Sequence, residues 1–170
     1  MGQITAVKEQ GLTRDNSGAV KHQVLVFALG EETFAIDILR IREIIEFGQL
    51  TTVPLMPSAV RGVINLRGAV VPVVDLMARF GRGQMTTNRR TCVVIIEVEA
   101  EQQQVIGIMV DAVNEVLEIP DSDIEPPPAF GAKIRSDFIS GMGRVDGRFV
   151  ILLDANRVLS VDELAELVSR

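Results

Sequence analysis

Within residues 60–75 two largely apolar runs are separated by the dipeptide Arg67-Gly68, and that dipeptide decides what they can become. The segments 63–66 and 69–74 on either side are dense in Val and Ile, β-branched residues that favour a pleated, packed backbone over a helix. Gly68 takes φ > 0 without steric cost, so Arg67-Gly68 predicts the tight turn of a β-hairpin. Pro72 donates no ladder hydrogen bond, which predicts an edge strand or a bulge in the second arm. Arg67 then sits at the tip of an apolar hairpin, where burial does not account for it. It is the first functional candidate.

The remaining chain repeats this grammar of short runs and turn residues. Residues 1–22 are polar and aperiodic and predict a flexible arm. Strands are expected over 24–29 and 33–38. Residues 38–47 fit either a helical face through Ile38, Ile41 and Ile45 or a turn followed by a strand, and their β-branched density favours the strand. Pro57 and Gly62 bracket one expected helical turn. A short helix over 76–80, ended by Gly81, leads into a polar loop over 81–90. Further strands are expected over 91–98 and 105–113, with 114–119 a separate strand or a bulged extension. Pro120, Pro126, Pro127 and Pro128 make residues 120–137 an extended surface loop. Asp146-Gly147 joins 138–145 to 148–153 as a second hairpin. Ser160-Val-Asp-Glu163 is a capping box, after which Val161, Leu164 and Val168 share one helical face. About ten short strands and one C-terminal helix indicate a mainly β protein, and exceed what one small barrel uses. Two barrels packed together, within a single domain over residues 23–168, are expected.

Composition removes several function classes. Hydrophobic residues make up 47% of the 170, with no Trp or Tyr, so a sizeable core of Val, Ile and Leu is expected. A net charge of -6 repels nucleic acid and anionic membranes. It also disfavours a barrel that binds single strands, which uses exposed aromatics and basic grooves. Arg79, Arg82, Arg89 and Arg90 read as a solvated loop rim rather than a basic patch. Cys92 is the single cysteine; inside an apolar strand it is a small core residue rather than a nucleophile. His22 is the sole histidine, so zinc-type sites and a Ser-His-Asp arrangement fail for want of ligands. Asp75, Asp111 and Asp154 end or interrupt apolar strands and read as turn or helix caps rather than as an acid–base pair. No phosphate-binding glycine motif is present. No enzymatic activity, cofactor or metal is predicted. The first ten residues carry no apolar signal core, and no run approaches the ~20 residues of a membrane span. A cytoplasmic location is expected.

Several segments taken together resemble one family. Residues 24–29 with Ile36-Asp-Ile38, then Ile41-Arg-Glu43, Arg61-Gly-Val-Ile-Asn-Leu-Arg-Gly68, Val71-Pro-Val-Val-Asp-Leu76 and Ile106-Gly-Ile-Met-Val-Asp111 are similar in order and spacing to the CheW chemotaxis coupling proteins. The likeness extends over residues 22–168, through Gly141-Met-Gly143 and residues 151–153. It implies two five-stranded, SH3-like barrels around a shared core. It also implies a non-catalytic scaffold that couples the cytoplasmic tips of chemoreceptors to the regulatory domain of the histidine kinase CheA, within arrays at the membrane. That kinase domain is itself CheW-like, so self-association in rings is implied as well. Carried over by position, Ile41, Glu43, Ile44, Asn65, Arg67, Cys92 and Val93 would face the receptor. Ile41 and Ile44 could instead be core, and of the adjacent Ile44 and Ile45 one must point outward. The kinase contact would lie near Glu125 and Phe130. Phe130 either anchors a partner or folds back onto its own barrel, and Glu125 stands where a basic residue would be expected. A CheW-like module from a CheV-type hybrid, or from a non-flagellar pathway, is the alternative; the end of the chain at Arg170, with no receiver-sized segment after it, favours a stand-alone protein.

Overall fold

In the computed structural model, residues 20–99, 103–127 and 134–160 are described, together with the backbone of residues 12–14. The strands are β1 (Leu12–Arg14), β2 (Val20–Leu29), β3 (Glu32–Asp37), β4 (Ile41–Glu46), β5 (Val60–Leu66), β6 (Ala69–Asp75), β7 (Cys92–Val98), β8 (Gln104–Val110), β9 (Ala112–Pro120), β10 (Ile124–Glu125), β11 (Ile139–Val145) and β12 (Arg148–Leu153). Two one-turn helices, α1 (Leu76–Arg79) and α2 (Ala155–Val158), follow β6 and β12.

The strands form two sheets. One has five strands in the order β4-β7-β8-β6-β5; the other has seven, in the order β1-β2-β3-β12-β11-β10, with β9 paired to β2. Without the short β1 and β10, the second sheet also has five principal strands. The chain lays down β2 and β3, builds the whole five-stranded sheet, and returns to complete the first one. The fold class expected from the sequence, mainly β with two packed β units, is the one observed.

Both hairpins form where expected. Arg67 and Gly68 have φ of 52° and 88°, and Asp146 and Gly147 have 50° and 77°. Positive φ at both central residues is the type I′ turn, whose twist matches the flanking strands. Asp75 and Asp154 cap α1 and α2: the Oδ1 of each accepts a backbone N–H, from Ala78 and Arg157 respectively, at 3.2 Å.

Other expectations are corrected. Residues 12–14 and 20–22 are strand, pairing Leu12 with His22, rather than arm. Residues 57–60 make a single turn closed by Val60 N–H donating to Pro57 O at 2.9 Å, not a helical turn. β6 is an interior strand from Val73 onward, where its ladder with β8 begins, and Pro72 lies one residue before it. The expected strand over 105–113 breaks at Asp111, whose Oδ2 accepts from Gly30 N at 2.6 Å. Ile124 and Glu125, within the expected loop, pair with Gly143 and Met142. The capping box and helix beyond residue 160 lie outside the described residues.

The core sits between the sheets. Leu25, Phe27 and Leu29 of β2 pack into a cluster shared with β6, β7 and β8, while Val24 and Val26 face a smaller cluster with Ile119 and Leu152. Buried on both faces, β2 reads as a continuous apolar run. The junction is more aromatic than composition suggested. Phe27, Phe34, Phe80 and Phe138 form a row with centroid separations of 6.1, 5.6 and 6.0 Å. Arg79 and Arg135 stack on Phe138 at 4.6 and 4.5 Å, and Arg79 Nε donates to Val158 O at 2.6 Å. α1 of one unit is thereby tied to α2 of the other.

Candidate functional site

The five-stranded sheet curls until its two edges meet. After β4 the chain bridges to β5: Thr51 and Val63 exchange both backbone hydrogen bonds at 2.9 Å. The second link is made of side chains. Arg67, at the β5–β6 tip, donates through Nη1 to Glu43 Oε2 at 2.7 Å and through Nη2 to Glu43 Oε1 at 3.0 Å. This bidentate fork is the strongest geometry open to an arginine–carboxylate pair. The hydrogen bond from Arg67 holds the Glu43 carboxyl below its ordinary value, and the same bond raises the guanidinium. Solvent reaches both partners, so screening weakens the attraction.

Around this pair the expected receptor residues divide. Ile44 follows Glu43 on β4 and is 43% exposed, whereas Ile45 packs against the core. Ile41 and Val93 are buried core residues, 9% and 1% exposed. They support the strands from beneath and are not available for contact. Cys92 is half-buried, with its thiol donating to Arg90 O at 3.2 Å. Asn65 is exposed, but its Oδ1 accepts from Gly68 N at 2.8 Å and so shapes the hairpin turn that carries Arg67. Val70, three residues beyond Arg67, is 72% exposed, although its place in an apolar run marks it as core.

The second region lies on the other sheet. Glu125 Oε1 accepts from Arg144 Nη2 at 2.8 Å. A basic side chain therefore does stand at this position, supplied by β11 rather than by residue 125. Glu125, Pro126, Met142 and Phe149 line an open groove of about 290 Å³. Phe130 lies outside the described residues. The described aromatic on this surface is Phe149, 49% exposed, with the Arg144 guanidinium 5.8 Å from its ring centroid. Its position two residues after the Asp146-Gly147 turn, second in its strand, was the one signal available for it.

The part of the chain that matches known proteins spans both regions. The family model for the CheW-like domain matches residues 23–163. A chemotaxis protein CheW from Klebsiella aerogenes is 35% identical over 146 residues, covering 86% of each chain. One from Rhizobium meliloti is 33% identical over 153 residues, covering 86% of this chain and 97% of its own. The crystal structure of scaffolding protein TtCheW from Thermoanaerobacter tengcongensis superposes with a TM-score of 0.73 at 34% identity, covering 80% of this chain and 86% of that one.

Proposed function

This chain belongs to the CheW family of chemotaxis proteins, and from that premise we propose that it is a non-catalytic scaffold bridging the cytoplasmic tips of chemoreceptors to the regulatory domain of a CheA-type histidine kinase in membrane-associated arrays. The observation that carries the receptor half is the bidentate Glu43–Arg67 pair on the solvent-facing seam of the five-stranded sheet, with exposed Ile44 next to it in the chain. A helical receptor tip buries apolar side chains against such a seam, and the charges fix its register. Ile44 supplies apolar contact; Glu43 and Arg67 supply the polar pattern; Asn65 holds the turn. The groove lined by Pro126, Met142 and Phe149, rimmed by Glu125 and Arg144, supports a second docking face for the kinase domain or for another copy of the chain.

The receptor half is tested with Arg67→Glu. This change leaves the core intact, so the thermal midpoint should fall by no more than about 4 °C, the loss of one exposed ion pair. Co-sedimentation with a receptor fragment should fall well below that of the wild type. Undiminished co-sedimentation moves the receptor face elsewhere.

A further inference from the structure

Arg67 is carried at the hairpin tip, but its aim is set at the opposite end. β5 and β6 pair Val60 with Val74 and then Gly62 with Val73, which leaves Arg61 as an extra residue bulged from the ladder. A bulge bends its strand, increases the local twist and redirects a side chain. Here the redirected side chain turns toward Asp75: Arg61 Nη1 donates to Asp75 Oδ2 at 3.0 Å and to Met85 O at 3.1 Å. Asp75 is fully buried. Besides Arg61 it accepts Met85 N at 2.8 Å on Oδ2 and Ala78 N at 3.2 Å on Oδ1. One buried carboxylate thus ties β5, α1 and the loop after α1 to the base of the hairpin. Without the guanidinium, the buried charge would lack its counter-ion, a costly state.

The lever is long. From Val63, where the strand is bridged to Thr51, to Arg67 it spans about 13 Å at ~3.3 Å per residue, so a bend changed by about 10° carries the tip about 2.3 Å. A displacement of that size breaks a hydrogen bond that holds only to about 3.2 Å. We propose that Arg61 and Asp75 are positioning residues: their ion pair pins the bulge, the bulge aims the hairpin, and Arg67 thereby reaches Glu43. The consequence for binding rests on reading the Glu43–Arg67 seam as the receptor face; the consequence for the pair itself does not.

The test reads the pair directly. Glu43→Gln and Arg67→Gln are combined in a double-mutant cycle followed by thermal midpoint. In the wild-type background the shifts are non-additive, because once one partner is gone the second has nothing left to lose. In an Asp75→Asn background that retains wild-type circular dichroism, the same cycle becomes additive. A receptor fragment there binds at least about fivefold more weakly. If Asp75→Asn does not fold, Arg61→Lys carries the cycle, since it keeps the charge but lacks the guanidinium's planar fork. Non-additivity that persists unchanged in the background that folds overturns the proposal. Additivity with full receptor binding upholds the aiming role and overturns the assignment of the receptor face.

Discussion

Val93 and Gly107 give the sharpest check on the division between core and contact residues. Gly107 lies on β8, opposite Ile95 of β7 and Val73 of β6. A Cβ added there would stand 2.7 Å from Val93 Cγ1 and 3.4 Å from both Ile95 Cδ1 and Val73 Cγ2. Ordinary contact between carbons begins near ~3.5 Å, so Val93 would have to retreat by roughly 0.8 Å. It is 1% exposed, and a β-branched side chain has few rotamers to retreat into. Overpacking of this kind costs about 1–3 kcal/mol, offset by about 0.4–1 kcal/mol from the restricted unfolded chain. Gly107→Ala should therefore destabilise by up to about 2.6 kcal/mol, and by about 1.3 kcal/mol at mid-range. Val93→Ala removes two buried methyl groups and should cost about 1.5–3 kcal/mol. In the double variant the new methyl fills part of the space vacated, so the combined loss falls short of the sum by about 1 kcal/mol. With no Trp or Tyr for fluorescence, urea unfolding is followed by far-ultraviolet circular dichroism. Strict additivity, or a stabilising Gly107→Ala, would refute the packing argument. Val93→Ala should also bind receptor fragment like the wild type below its midpoint; a selective binding loss would return Val93 to the contact surface.

The other expectations concern the exposed elements. Folding holds the Glu43 carboxyl below its ordinary value of 4.5, first through its hydrogen bond from Arg67. Its contribution is therefore complete above that value and is lost as pH falls through the lower folded value. The midpoint difference between wild type and Glu43→Gln should accordingly close in acid, and a gap constant down to pH ~2 would contradict the linkage. Gly62→Ala should cost more than Gly107→Ala in urea unfolding, because its Cβ would stand 2.7 Å from the backbone oxygen of Thr51, which cannot rotate away; an equal or smaller loss would count against it. Phe149→Ser should lower affinity for a CheA-type regulatory domain in calorimetric titration while moving the midpoint only slightly, since the ring is half exposed. Unchanged affinity would remove the groove from the kinase face.

What the sequence disclosed is what its local chemistry encodes. Arg67-Gly68 and Asp146-Gly147 declare their hairpins because a two-residue turn with positive φ is decided by the residues in it. Asp75 and Asp154 were legible as helix caps for the same reason. Asp75 as the hub of a buried ion pair was not, because its partner Arg61 is brought to it by a bulge, and a bulge is a property of two strands together. The break at Asp111 depends on Gly30, far away in the chain. Similarly, alternation required one of Ile44 and Ile45 to face outward but left open which one. The irregularity between Ile41 and Glu43 in the β4–β7 ladder sets that phase.

The same pairing that marks the seam also constrains how it can bind. Glu43 and Arg67 already satisfy each other, at the place where the two edges of one sheet approach. A partner that engages Arg67 must share or displace Glu43, exchanging one charge-assisted bond for another. Such an exchange contributes little net affinity and much orientation, because a misplaced partner opens the pair without replacing it. In the proposed receptor contact, affinity must then come from apolar burial beside the pair, for which exposed Ile44, on the alternate face of β4, is available and buried Ile41 and Val93 are not. The side chains that hold the barrel edges together and those that would discriminate a partner are thus the same two. That is why the aim of one hairpin bears on recognition.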